Sequence, residues 1–173
     1  VKILSIEEKG SAAWIVKEQC CKAMLRLIFL AIDTDKTAAG IPLDANPHHT
    51  SVTKPTLALS KASHTPRVVW HLAKRGILKP LVDIIKYEGT ASKRVVFAKQ
   101  ESARLLRLLM EFGKGLIDTV VSLQAIPSLV ELIDVVNKDD PKEAAILALW
   151  IMCKDSKTNR NTVVRQPNGL RIV

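Results

Sequence analysis

The chain has 173 residues and a net charge of +9, with 47% hydrophobic and only 4% aromatic side chains. Apolar mass carried by Leu, Ile, Val and Ala, with few aromatics, suits helix-on-helix packing and argues against a β-sandwich. Three cysteines, two of them adjacent (Cys20, Cys21) and one alone (Cys153), do not make a disulfide framework, and the default compartment is reducing, the cytosol or nucleus.

In chain order, Lys17 to Ala31 reads as a long apolar helix through Cys20, Ala23, Leu27 and Leu30. Its apolar run Leu25 to Ile32 falls short of a membrane span, which needs roughly 18 uninterrupted apolar residues. Asp33 to Thr65 is the weak region. Gly40-Ile41-Pro42-Leu43 starts a helix that Asp44-Ala45-Asn46-Pro47 breaks at once, and Lys54 to Ser63 resembles a long-helix remnant. The segment 32–66 is therefore either a degenerate repeat or a linker.

A short helix follows at Arg67 to Leu72, then Gly76-Ile77-Leu78-Lys79-Pro80-Leu81, a second version of the Gly40 phrase. Gly89 to Arg94 reads as a surface loop, and Gln100 to Phe112 as a long helix through Ala103, Leu105, Leu106 and Leu109. The order then repeats. Leu116 to Val121 is short, Ala125-Ile126-Pro127-Ser128-Leu129 opens a middle helix, and Asp139-Asp140-Pro141 caps a long one through Ala144, Ala145, Ala148 and Leu149. Asn161 to Arg165 is a further short helix, and Gly169-Leu170-Arg171-Ile172-Val173 is a fourth phrase. From Ile41 to Ile77, Ile126 and Leu170 the intervals are 36, 49 and 44 residues. In each phrase a small residue lets the chain turn, and Pro is tolerated in the first turn of the next helix, where its missing N–H would have no partner.

A short, a middle and a long helix recurring at this interval resemble the armadillo repeat family over most of the chain, most clearly from Leu116 to Cys153. The resemblance implies an all-α fold, a right-handed α-α superhelix (an armadillo-like solenoid) of about three to four repeats, one of them degenerate. It also implies a single domain over 1–173, and both ends read as cut edges of a longer array. Long helices would then line a concave groove that holds a partner. Nuclear-import members of the family carry a Trp and, four residues on, an Asn along that groove. With the long helices aligned on Ala23, Pro55, Ala103 and Ala145, those positions hold Leu25, Leu57, Leu105, Leu147 and Phe29, Lys61, Leu109, Ile151. A one-residue shift in the third helix substitutes Arg104 and Leu108. In either alignment the Trp–Asn ladder is missing, and the positive charge repels a basic peptide.

Catalytic motifs are missing as well: there is no Gly-rich phosphate loop, no Cys-x-x-Cys and no Gly-x-Ser-x-Gly. His48, His49, His64 and His71 lack a neighbouring Cys or carboxylate and do not make the usual closed zinc site. The expected function is a non-enzymatic protein-interaction scaffold without cofactor, metal or small-molecule substrate. The candidate groove residues are Lys61, Arg104, Leu108, Leu147, Trp150, Ile151 and Lys154, facing an acidic or partly apolar segment. Two other readings stand beside it. Armadillo repeats follow a U-box in some plant ubiquitin ligases, which would make this chain a substrate-recognition region. The stretch Ala45 to Val82 has no Asp or Glu, so the cations from Lys54 to Lys79 could meet nucleic acid.

Overall fold

The computed structural model describes residues 11–38, 64–88, 93–113, 115–135 and 139–167. All regular structure among them is helical: α1 (Ser11–Ala38), α2 (His64–Lys74), α3 (Leu78–Lys86), α4 (Lys93–Phe112), α5 (Leu116–Ser122), α6 (Ala125–Val135), α7 (Asp139–Cys153) and α8 (Lys157–Val164). The expected short, middle and long helices of 64–112 are α2, α3 and α4, those of 116–153 are α5, α6 and α7, and α8 begins the order again.

Two boundaries differ from the sequence reading. α1 continues to Ala38, well into the region expected to break. α4 begins at Lys93, so Lys93 and Arg94 are helical rather than part of a loop, and a 20-residue helix takes up much of the long 49-residue interval. The Gly40 phrase, the Lys54–Ser63 segment and the Gly169 phrase lie outside the described residues.

The turn between short and middle helix is made the same way twice. After α2, Arg75 and Gly76 donate their N–H groups back to the last carbonyls of the helix, and Gly76 sits at φ +72°. After α5, the N–H of Gln124 bonds Val121 O at 2.8 Å, and Gln124 takes φ +57°. Left-handed backbone suits Gly because it has no Cβ, whereas Gln adopts it under strain. The residue that turns the chain is thus Gln124, one position before the expected Ala125, which is instead the fully buried first residue of α6. Between α4 and α5 the chain turns at Gly113, where a Cβ would lie 2.7 Å from Leu116 Cδ1 and 2.8 Å from Leu109 O.

Packing sorts the helices into layers. α1 lies against α4 and α4 against α7, so the three long helices stand side by side; α3 lies against α6, and each of these also packs on the long helix that follows it. Small residues allow the close approach. Ser102 and Ala103 of α4 are fully buried, with Cys21 Sγ of α1 3.5 Å from Ser102 Oγ. Ala144, Ala145 and Ala148 of α7 are buried as expected. Because α1 meets α4 directly, no other long helix stands between them. The largest fully buried side chains, among them Ile28, Ile77, Leu81, Leu105, Leu106, Leu109, Leu129 and Met152, form one continuous core across the layers. Glu18, also buried, reaches Lys22 at 2.6 Å and Arg94 of α4 at 3.5 Å, an ion-pair bridge along the α1–α4 seam.

Among the described residues no single helix is long and apolar enough to cross a membrane; the apolar pair α5–α6 is bent by 81°.

Candidate functional site

Side-by-side long helices leave a shallow trough along their exposed edge. It has a volume of about 340 Å³ and crosses all three: Lys22, Leu25, Arg26 and Phe29 from α1, Glu101, Arg104, Arg107 and Leu108 from α4, and Glu143, Ala144 and Leu147 from α7. Residues four apart on one helix share a face, and the pairs Leu25/Phe29, Arg104/Leu108 and Glu143/Leu147 follow that spacing. The trough is apolar at its floor and predominantly basic at its walls. Lys22 is held by Glu18, Arg104 Nη1 by Glu101 at 3.2 Å, and Arg107 Nη1 by Glu111 at 2.9 Å. Arg26 is exposed and makes no ion pair with a described residue.

A second depression of about 340 Å³ lies on the adjacent face of α7 toward its C-terminal end. It is lined by Ile146, Leu149, Trp150, Cys153 and Lys154 with Arg160 and Val163 of α8. Trp150 is 51% exposed, and Lys154 Nζ stands 5.4 Å from its ring centroid, a cation–π geometry. Arg160 donates to the carbonyls of Cys153 at 2.7 Å and Lys154 at 3.1 Å, where the end of α7 leaves carbonyls without helical partners. α8 is fixed in turn by Ser156, whose Oγ accepts from Asn159 N, and by buried Asn159, whose Nδ2 donates to Met152 O at 2.7 Å.

The expected site residues therefore divide. Arg104, Leu108 and Leu147 share the trough; Trp150 and Lys154 belong to the second depression; Ile151 is 6% exposed and lines neither. Lys61 lies outside the described residues. The trough follows the shifted alignment, with Arg104 and Leu108 on its wall while Leu105 and Leu109 are fully buried. Ala23, used as a core position in that alignment, points outward and is exposed. Lys22, Arg26, Arg107, Glu101 and Glu143 were not singled out in the sequence. The i, i+4 spacing of Lys22 and Arg26, and of Arg107 with Glu111, was the available signal.

Of the basic stretch, α2 exposes Arg67, Trp70, His71 and Lys74, followed by Arg75, while Lys79 is paired with Asp83 at 2.7 Å. The Trp70 ring edge covers Gly115, 3.7 Å from where a Cβ would sit. No group of three or more His, Cys, Asp or Glu side chains among the described residues is placed to hold a metal ion. The three cysteines are free thiols. Burial pushes the Cys21 thiol up to about 11, partly offset by its hydrogen bond to Ser102, and burial likewise raises Cys153. Lys99 is lowered from the usual lysine value by burial, against the opposing pull of Glu131 and Glu88.

Compared with protein-family models, curated proteins and solved structures, the chain matches none.

Proposed function

We propose that the chain is an armadillo-type helical repeat domain that acts as a non-enzymatic scaffold, holding an acidic, partly apolar protein segment in the trough across α1, α4 and α7. One observation carries this reading: a single depression runs over three successive long helices, each contributing both an apolar side chain and a charged one. Extended surfaces of this kind arise when like units stack, and they suit an elongated guest better than a compact small molecule.

The lining predicts the guest's chemistry. Four cations, Lys22, Arg26, Arg104 and Arg107, face two carboxylates, Glu101 and Glu143. Three of the cations already share a carboxylate within their own helix, so Arg26 is the cation free to make the first new ion pair. Leu25, Phe29, Leu108 and Leu147 then offer apolar seating between charged contacts. The free thiols support a reducing compartment for the work.

The test is an array of acidic, Leu-containing peptides, followed by fluorescence anisotropy on the best binder. The double variant Arg26→Glu/Arg104→Glu should weaken binding at least tenfold, about 1.4 kcal/mol, with an unchanged helical circular dichroism spectrum. Binding should also weaken with salt, because the contacts lie at an exposed rim. Affinity unchanged in the double variant would refute the trough as the binding surface.

A further inference from the structure

The side of α1 turned away from α4 carries an apolar seam that nothing described covers. Val16, Cys20, Ala23, Leu27, Leu30 and Thr34 follow one another at intervals of four, three, four, three and four residues. That is the spacing that keeps a stripe straight along a helix and lets it pair with another helix. Val16 is 44%, Leu27 52% and Leu30 65% exposed; Ala23 and Thr34 are exposed and Cys20 half-buried. The opposite side, with Cys21, Leu25 and Ile28, is buried. A long, straight, exposed apolar stripe on a 28-residue helix is a recognisable interaction surface.

We propose that this seam is a homodimer interface, in which α1 of one copy lies antiparallel to α1 of a second copy across a two-fold axis near Leu25. The stripe is self-complementary in that arrangement. With the axis at Leu25, Val16 meets Thr34 of the other copy, Cys20 meets Leu30 and Ala23 meets Leu27, and each contact occurs twice. Small residues face large ones at the two inner layers, which fills space and lets the helices approach closely. The parallel arrangement sets Ala23 on Ala23 and Leu30 on Leu30, alternating gaps with bulges. The antiparallel register also brings the two Arg26 side chains near the axis, so the association should tighten as salt screens them. This interface lies on a different side of α1 from the trough and does not depend on the partner proposed there.

Analytical ultracentrifugation of the 173-residue chain should show a reversible dimer, and Leu27→Glu, an exposed change, should leave a folded monomer. Geometry is read by thiol cross-linking in a Cys153→Ser background. Oxidation of Leu30→Cys should give a disulfide-linked dimer that disappears when Cys20→Ser is added. Without Leu30→Cys, Cys20 should not link to its counterpart, because the two lie about ten residues, or roughly 15 Å, apart along the axis. A chain that stays monomeric at every concentration, or a dimer indifferent to Leu27→Glu, would overturn the interface. Efficient Cys20–Cys20 linkage would overturn the antiparallel register, as would the absence of linkage in Leu30→Cys.

Discussion

α4 and α7 are built from similar material, Leu and Ala with a few charges, yet they live differently. α4 has a long helix on each side, and Leu105, Leu106, Leu108, Leu109 and Met110 are all buried. α7 has one long-helix neighbour among the described residues, and Ile146, Leu147 and Trp150 stand exposed. Exposure of an apolar side chain here follows from the helix's place in the row rather than from its composition. In a stack of like helices, the inner member contributes stability and the outer members carry the free surface.

Truncation should separate the two most sharply. Leu109→Ala in α4 should cost about 2–5 kcal/mol by urea unfolding, because its fully buried site cannot collapse around the void. Leu147→Ala in α7 should stay within about 0.5 kcal/mol. Comparable losses at both would erase the distinction.

The α1–α4 seam gives a pH-dependent version of the contrast. Cys21 binds its proton up to about 11 when folded and releases it near the ordinary thiol value, 9.0, when unfolded. Its contribution is therefore intact below pH 9 and lost as pH rises toward 11, on the order of 2 kcal/mol across that window. Denaturation midpoints of the parent should fall between pH 9 and 11 more steeply than those of Cys21→Ala. Parallel curves would show that the thiol is not sealed between the helices.

At the other end of the row, Asn159→Ala removes the side-chain donor to Met152 O and should cost about 1–2 kcal/mol. Hydrogen exchange should show faster opening of α8 and the end of α7, with α4 unaffected. The smallest effect is a gain: Gln124→Gly relieves a left-handed Gln and should stabilise by about 0.5–1 kcal/mol in a thermal melt.

Helix type and order were largely legible, because turn residues and first-turn prolines punctuate the chain between apolar runs. α5 and α7 fall almost where the residues place them. α4 is longer than expected because its first turns, Lys93 to Lys99, mix cations with Val and Phe and carry no clean apolar stripe. Rotation of each helix about its axis was the harder matter. α1 has small residues on two faces, Cys21 inside and Ala23 outside, and size alone does not say which one meets a neighbour. In α7 an apolar residue occupies nearly every position from Ala144 to Cys153, so the pattern cannot distinguish exposed Leu147 from buried Ile151. Three-dimensional neighbours decide both, and with them which side chains reach the trough.

The direct meeting of α1 and α4 has a consequence for how the molecule assembles. Cys21 and Ser102, which touch, are 81 residues apart, whereas α4 and α7 are joined by two short helices and their turns. Closing a longer loop costs more chain entropy and slows the contacts that depend on it. The region from α2 to α7 should therefore condense first and offer α1 a finished surface to dock on. Pulsed amide labelling during refolding would report this as protection that reaches Cys21 to Ile28 after it has reached Leu105 to Met110.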